Sequence, residues 1–209
     1  DIDVDGTANL DAVDIDGAVD IAGNLTVDGG TIKLDGNFPT GTNNVALGDA
    51  ALGGGSLSGG SNVAIGTSAL DANTSGTTNI AIGVNALGAN TTASDNVAVG
   101  HSALKVNTTG ALNTAVGYEA LDANTTASNN TAVGYQALTA NTTGHSLVAV
   151  GDSALKANTT ALANTAVGRA ALEATTTGAS NTAVGRSALQ VNTTGTLNVA
   201  VGGTALDAN

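Results

Sequence analysis

The chain has 209 residues, with 39 Ala and 29 Gly against one Phe, two Tyr and no Trp, Met or Cys, so its 42% apolar content consists mostly of small side chains. That excludes an ordinary globular core, which relies on large side chains to offset chain entropy. The missing cysteines exclude disulfide frameworks, thiolate zinc sites and cysteine nucleophiles. Seventeen acidic against five basic residues give a net charge of −12, a balance that repels nucleic acid and anionic membranes.

A charged fraction of only 11% argues against a solvated disordered tail. No apolar run reaches the roughly 18 residues of a membrane span.

Residues 1–36 repeat a short pattern: Ile2-Asp-Val4-Asp-Gly6, Val13-Asp-Ile15-Asp-Gly17, Val19-Asp-Ile21-Ala-Gly23, Leu25-Thr-Val27-Asp-Gly29 and Ile32-Lys-Leu34-Asp-Gly36. Each reads apolar, polar, apolar and then a turn. Such strands suggest a narrow β-prism whose single apolar face is too small for one chain to bury, so packing around a threefold axis is expected. Nine of the fifteen aspartates lie here, and Asp1, Asp3 and Asp5 before Gly6 match the first half of a calcium loop. The bidentate Glu of loop position twelve is missing, since Ala12 stands there, and an alternating strand with outward carboxylates accounts for the same residues. Residues 37–43, with Phe38-Pro39 among Gly and Thr, read as a junction where the path changes.

From residue 44 to 209 one motif recurs ten times. Gly66, Gly83, Gly100, Gly117, Gly134, Gly151, Gly168, Gly185 and Gly202 are each 17 apart, and Gly48 precedes Gly66 by 18, with the extra residue in the Gly53–Gly60 stretch. Two before each glycine stands Ala, and three and four after it come Ala and Leu. Four before it stands Asn, as in Asn62, Asn79, Asn96, Asn113 and Asn130, and the seventh residue after it is usually Asn followed by two hydroxyl residues. The tenth alternates between Gly and Ala through much of the array.

Seventeen residues are too few for a helical-hairpin repeat, and no apolar stripe of helical spacing occurs. One turn of a β-solenoid fits. In Asn113-Thr114-Ala115-Val116-Gly117 the β-formers at 114 and 116 share one face and Ala115 and Gly117 the other, and the glycine turns the chain. A second short strand is expected at Ala120-Leu121, with Asn124-Thr125-Thr126 opening the return arc.

Stacking at about 4.8 Å per turn would make a rod on the order of 48 Å long with Asn pairing amide to amide between turns. His101, Tyr118 and Tyr135 should stack, Asp152 should lie beside Arg169, Lys105 beside Asp122 and Lys156 beside Glu173. Surface pairs of that kind are worth about 0–1 kcal/mol and tune register. Leu147, replacing Asn, and Thr175, replacing Asn, should weaken the rod locally.

Little in the chain points to catalysis. His101 and His145 fall in different columns without a fixed carboxylate or serine partner, so no catalytic residue and no cofactor are assigned and the chain reads as a non-enzyme. Tyr118, Tyr135, Arg169 and Arg186 share one column and form a possible ligand strip for glycan, against the reading of ordinary surface variation. Gly53-Gly54-Gly55 lacks the Lys of a phosphate loop. The triplets at Asn73, Asn90, Asn107, Asn124, Asn141, Asn158 and Asn192 match glycosylation sequons but read better as turn ladders.

Asn62-Val63-Ala64-Ile65-Gly66 and the run Asn130 to Leu138 resemble the head repeats of YadA-like trimeric adhesins, though the coil here is a few residues longer. The longer form with Ala-Leu and Asn-Thr-Thr is similar to repeats in phage tail-fibre and structural proteins, and residues 5–17 are similar to stretches in marine phage structural proteins. These resemblances cover nearly the whole chain. They imply an all-β, left-handed parallel β-roll or solenoid assembled as a homotrimeric rod.

The expected role is a stiff spacer in a phage tail or capsid fibre, placed on the virion. Its partners would be itself, virion or filament neighbours and, through other parts of the chain, a host glycan or receptor, with neither nucleic acid nor membrane insertion involved. The alternatives are a bacterial surface adhesin or extracellular filament and, less favoured, ice binding by the Thr columns. Asn209 is in phase with Asn192, so a longer rod is expected.

Overall fold

The structure, a computed structural model, describes residues 42–54 and 57–207. The prism expected for residues 1–36, most of the junction, and the calcium candidates Asp1, Asp3 and Asp5 lie outside these residues.

Within the described chain the 17-residue motif forms a parallel β-solenoid of about nine turns. Ten three-residue strands stack in sequence order into one parallel sheet: β1 (Val45–Leu47), β2 (Val63–Ile65), β3 (Ile80–Ile82), β4 (Val97–Val99), β5 (Thr114–Val116), β6 (Thr131–Val133), β7 (Val148–Val150), β8 (Thr165–Val167), β9 (Thr182–Val184) and β10 (Val199–Val201). Equivalent residues face one another throughout, as Ala98 does Ala115 and Val99 does Val116. Strand length follows from composition: in β2 to β10 two β-branched residues flank one Ala, with Leu47 taking one of those places in β1, and a glycine that takes a left-handed φ ends the run. The Val97 N–H donates forward to the Asn113 carbonyl at 2.8 Å, and the Gly117 N–H donates back to the Val99 carbonyl at 2.8 Å.

No strand forms at Ala120-Leu121. Glu119 and Leu121 adopt left-handed φ of 52° and 54°, so this part of the coil is two successive turns, closed by Ala120 N–H to the Gly117 carbonyl (3.4 Å) and Asn124 N–H to the Leu121 carbonyl (3.1 Å). A strand needs consecutive extended residues, which alternate left-handed ones prevent. The turns still bond along the axis, since the Leu121 N–H donates to the Ala137 carbonyl at 3.1 Å.

The leucine is the telling residue in these turns. At φ 51–55° it carries a left-handed cost of about 1–2 kcal/mol in every coil. Full burial of a Leu side chain returns about 1.5–3 kcal/mol, so burial wins. Leu70, Leu87, Leu104, Leu121, Leu138, Leu155, Leu172 and Leu189 are all fully buried, flanked by the two alanine rows. One leucine per coil between two alanine rows, with Leu57 and Leu147 added, makes up the core of the described residues, which leaves no room for aromatic side chains.

The glycine row is fixed by crowding as well as by φ. At Gly66, φ is 126° and an added Cβ would lie 2.7 Å from the carbonyl carbon of Gly83 in the next coil. The alternation of Gly and Ala at the tenth position also has a structural counterpart. Where the coil carries Gly76 or Gly110, the following N–H, of Thr77 or Ala111, donates to a serine hydroxyl of the Ala-bearing neighbour, Ser94 or Ser128, at 3.0 Å.

Candidate functional site

Two Asn columns run inside the coil. In the first, each backbone N–H donates to the side-chain oxygen one coil back: Asn79 to Asn62 (2.9 Å), Asn96 to Asn79 (3.1 Å), Asn113 to Asn96 (2.9 Å) and Asn130 to Asn113 (3.0 Å). The expected amide-to-amide pairing holds more regularly in the second column, with Asn124 Nδ2 to Asn107 Oδ1 at 2.9 Å and Asn141 Nδ2 to Asn124 Oδ1 at 3.1 Å. The columns meet at the tenth-position carbonyl. The Ala127 oxygen accepts from both Asn113 Nδ2 (2.9 Å) and Asn124 Nδ2 (3.0 Å), tying the strand to the return arc. Buried amides at Asn113 and Asn124 are thereby satisfied within the chain. Burial also closes the sequon asparagines, including Asn73, Asn90, Asn107, Asn124, Asn141 and Asn158, to a glycan.

The columns lapse at two places. Leu147 is fully buried in the first, and its N–H still donates to Asn130 Oδ1 at 3.1 Å. Thr175 in the second turns its hydroxyl forward to the Asn192 carbonyl at 2.7 Å, and Asn158 Oδ1 is left buried without a partner.

Outside, the residue after each glycine forms an exposed column. His101 stacks on Tyr118 with ring centroids 5.2 Å apart, and Tyr118 stacks on Tyr135 at 5.5 Å. Stacking along the axis covers both faces of Tyr118 and leaves its edge outward, so a sugar has little ring face to lie on. Arg169 and Arg186 continue the column beyond Asp152, and the structure does not bring them against the tyrosines: Arg169 is two coil steps, about 10 Å, from Tyr135.

Beside the rings, Gln136 Nε2 donates to Glu119 Oε2 at 2.7 Å, the largest reason the Glu119 carboxyl is held below its usual range. The adjacent Glu119 carboxylate in turn raises the Tyr118 phenol. Desolvation raises Asp122, an effect that the positive charge of Lys105 partly opposes. Glu173 pairs with Gln190 at 2.7 Å in the same manner as Glu119 with Gln136. His145 reaches only its neighbour Ser146, at 3.2 Å, on the exposed arc. Among the described residues no three His, Asp or Glu side chains gather as a metal site would require.

The outer face of the sheet is a surface that no motif in the sequence marks out. The residues three and one before each glycine alternate outward from the buried alanine, and they form two parallel columns of aliphatic and threonine side chains with no charge among them. The signal was the period-2 alternation itself, which says that one face of each strand is not in the core.

No protein-family model, curated protein or solved structure matches the chain.

Proposed function

We propose that the chain is a non-enzymatic segment of a homotrimeric fibre, on a virion tail or capsid, that acts as a stiff spacer holding the host-attachment part at a distance. The observation that carries this reading is the ten-stranded, in-register sheet whose outer face is apolar and uncovered in a single chain. A rod of this kind resists bending because each coil is bonded to its neighbours through the strand, the turns and two Asn columns, so deformation must break several bonds at once. Self-association covers the apolar face. The resemblance to trimeric adhesin heads and phage fibre repeats supplies the number three and the virion setting.

The threonine columns speak against ice binding. Thr74, Thr91, Thr108 and Thr142 already donate their hydroxyls to carbonyls of the next coil at 3.0–3.2 Å, leaving less of the side chain to order water. Mass photometry of the full chain tests the proposal. Three chains per particle are expected, and a stable folded monomer would overturn it.

A further inference from the structure

We infer that the outer sheet face is where copies of this chain meet, and that threonines in it set the copies parallel and level with one another. This deepens the proposed fibre reading and rests on it. The face consists of two columns. One, from Val45 to Val199, reads Val, Val, Ile, Val, Thr, Thr, Val, Thr, Thr, Val from β1 to β10; the other, from Leu47 to Val201, is wholly aliphatic. Ile80 is 38% exposed, Ile82 37% and Val184 37%, although β3 and β9 are each paired to a strand on both sides. Seven of the twenty side chains are exposed and the other thirteen half-buried, so the face offers on the order of 1,000 Å², comparable to the roughly 800 Å² per partner that a stable interface takes. A contiguous apolar stripe of that size without a charge marks an association surface.

The occupant follows from the order of the threonines. Thr114, Thr131, Thr165 and Thr182 each place a hydroxyl, which both donates and accepts, in an otherwise aliphatic surface. A covering surface must answer them at those four levels and nowhere else. A second copy in parallel, level alignment does so at all ten, setting threonine against threonine and aliphatic against aliphatic. An antiparallel copy mismatches four of the ten levels, opposing Thr182 to Val63 and Thr165 to Ile80. A parallel copy slipped by one coil mismatches four of nine, and one slipped by two coils five of eight. An unanswered hydroxyl in an apolar interface loses its water without gaining a partner, so the level arrangement is selected.

The absence of cysteine makes cross-linking a clean test. Single variants Ile65→Cys, Val116→Cys and Val184→Cys on the face, and Ser128→Cys on the return arc, are oxidised mildly as full chains, with circular dichroism confirming the fold. Disulfide-linked pairs are expected within each face variant alone and not within Ser128→Cys. Mixing Ile65→Cys with Val99→Cys, two levels or about 10 Å apart and beyond disulfide reach, gives no mixed link in the native background. The mixed link appears once Thr114, Thr131, Thr165 and Thr182 are all changed to Val.

Cross-linking of Ile65→Cys to Val184→Cys in a mixture, without self-links, would overturn the parallel arrangement. A trimer that links only through Ser128→Cys, or through none of these positions, overturns the face and leaves the fibre reading standing. A monomer by mass photometry overturns both. Val133→Lys gives an independent check: a folded chain with the native dichroism that no longer associates is expected, and undiminished association counts against the face.

Discussion

The coils between Asn79 and Asn141 and those between Leu147 and Thr175 share one backbone path but differ in how their interior is satisfied. In the first stretch every Asn of the two columns has a neighbour of its own kind, and each tenth-position carbonyl takes two amide donors, as at Ala127. In the second, Leu147 has no side-chain oxygen for the Asn164 N–H and no amide for the Ala161 carbonyl, which keeps only the Asn158 amide at 3.4 Å. Asn158 stands between the two lapses, its own oxygen unpartnered because Thr175 replaces the donor. The strands and turns pass through unchanged, with β7 and β8 in register. The difference teaches that the backbone bonds, glycines and leucines hold the path, while the Asn columns set how tightly each coil is held to the next. Removing a partner costs most where the group left behind stays buried.

The largest effect should come from the element both stretches share. Gly168→Ala places a Cβ 2.5 Å from the Gly185 carbonyl oxygen at a φ of 133°, and Gly117→Ala meets the Gly134 carbonyl in the same way. Each is expected to lose about 3 kcal/mol or more in denaturant unfolding, regardless of the Asn pattern around it. Gly202→Ala has the same φ problem but only the Ala205 Cβ nearby, at 3.8 Å, so its loss should be clearly smaller. Equal losses at Gly117 and Gly202 would mean that stacking does not matter.

Next in size is the transfer of the defect into the intact stretch. Asn124→Thr removes the donor to Asn107 Oδ1 and should cost about 1–3 kcal/mol. An unfolding midpoint equal to that of the unmodified chain would show that the column carries no stability.

The reverse change should repair the weaker stretch. Thr175→Asn supplies a donor to Asn158 Oδ1 and gives up the hydroxyl bond to the Asn192 carbonyl, for a net gain of about 1 kcal/mol. Amide exchange around Asn158 should slow with it; faster exchange there would contradict the account.

The smallest effect concerns the second unpartnered oxygen, Asp122 Oδ1, a buried atom on a side chain that is only half-buried as a whole. Burial raises this carboxyl in the folded chain, so its contribution to stability is present at low pH, with the acid protonated, and is lost as pH rises through the folded value. Asp122→Asn should therefore stabilise at pH 7 by a few tenths of a kcal/mol after solvent screening. The gain should vanish below the usual aspartate range near pH 4. Glu119 works in the opposite sense, since its lowered carboxyl favours folding above its unfolded value and that support fades as pH falls. A stabilisation by Asp122→Asn that is unchanged at low pH would point to packing instead of charge.

The solenoid and its strand positions were legible because the Gly, Ala and Leu rows recur every 17 residues, and a stacked fold repeats its environment with its sequence. The ring stack of His101, Tyr118 and Tyr135 was legible for the same reason: residues one period apart must meet. The second strand was misread because a recurring Ala-Leu pair marks a buried position without showing its backbone conformation, and only full burial makes a left-handed leucine worthwhile. The reach of the candidate glycan strip was also beyond the sequence, since a shared column does not say which ring faces stay open.

Sequence alone determined the period, the number of repeats and the rows that cannot change, because an exact repeat leaves each position one environment to fit. Tertiary structure decided what each row does: which alanines and asparagines turn inward, that the turns replace a second strand, and that one oxygen of Asn158 goes without a partner. Those outcomes depend on contacts between residues 17 apart along the chain yet adjacent in space, and on whether a buried group finds its complement one coil away.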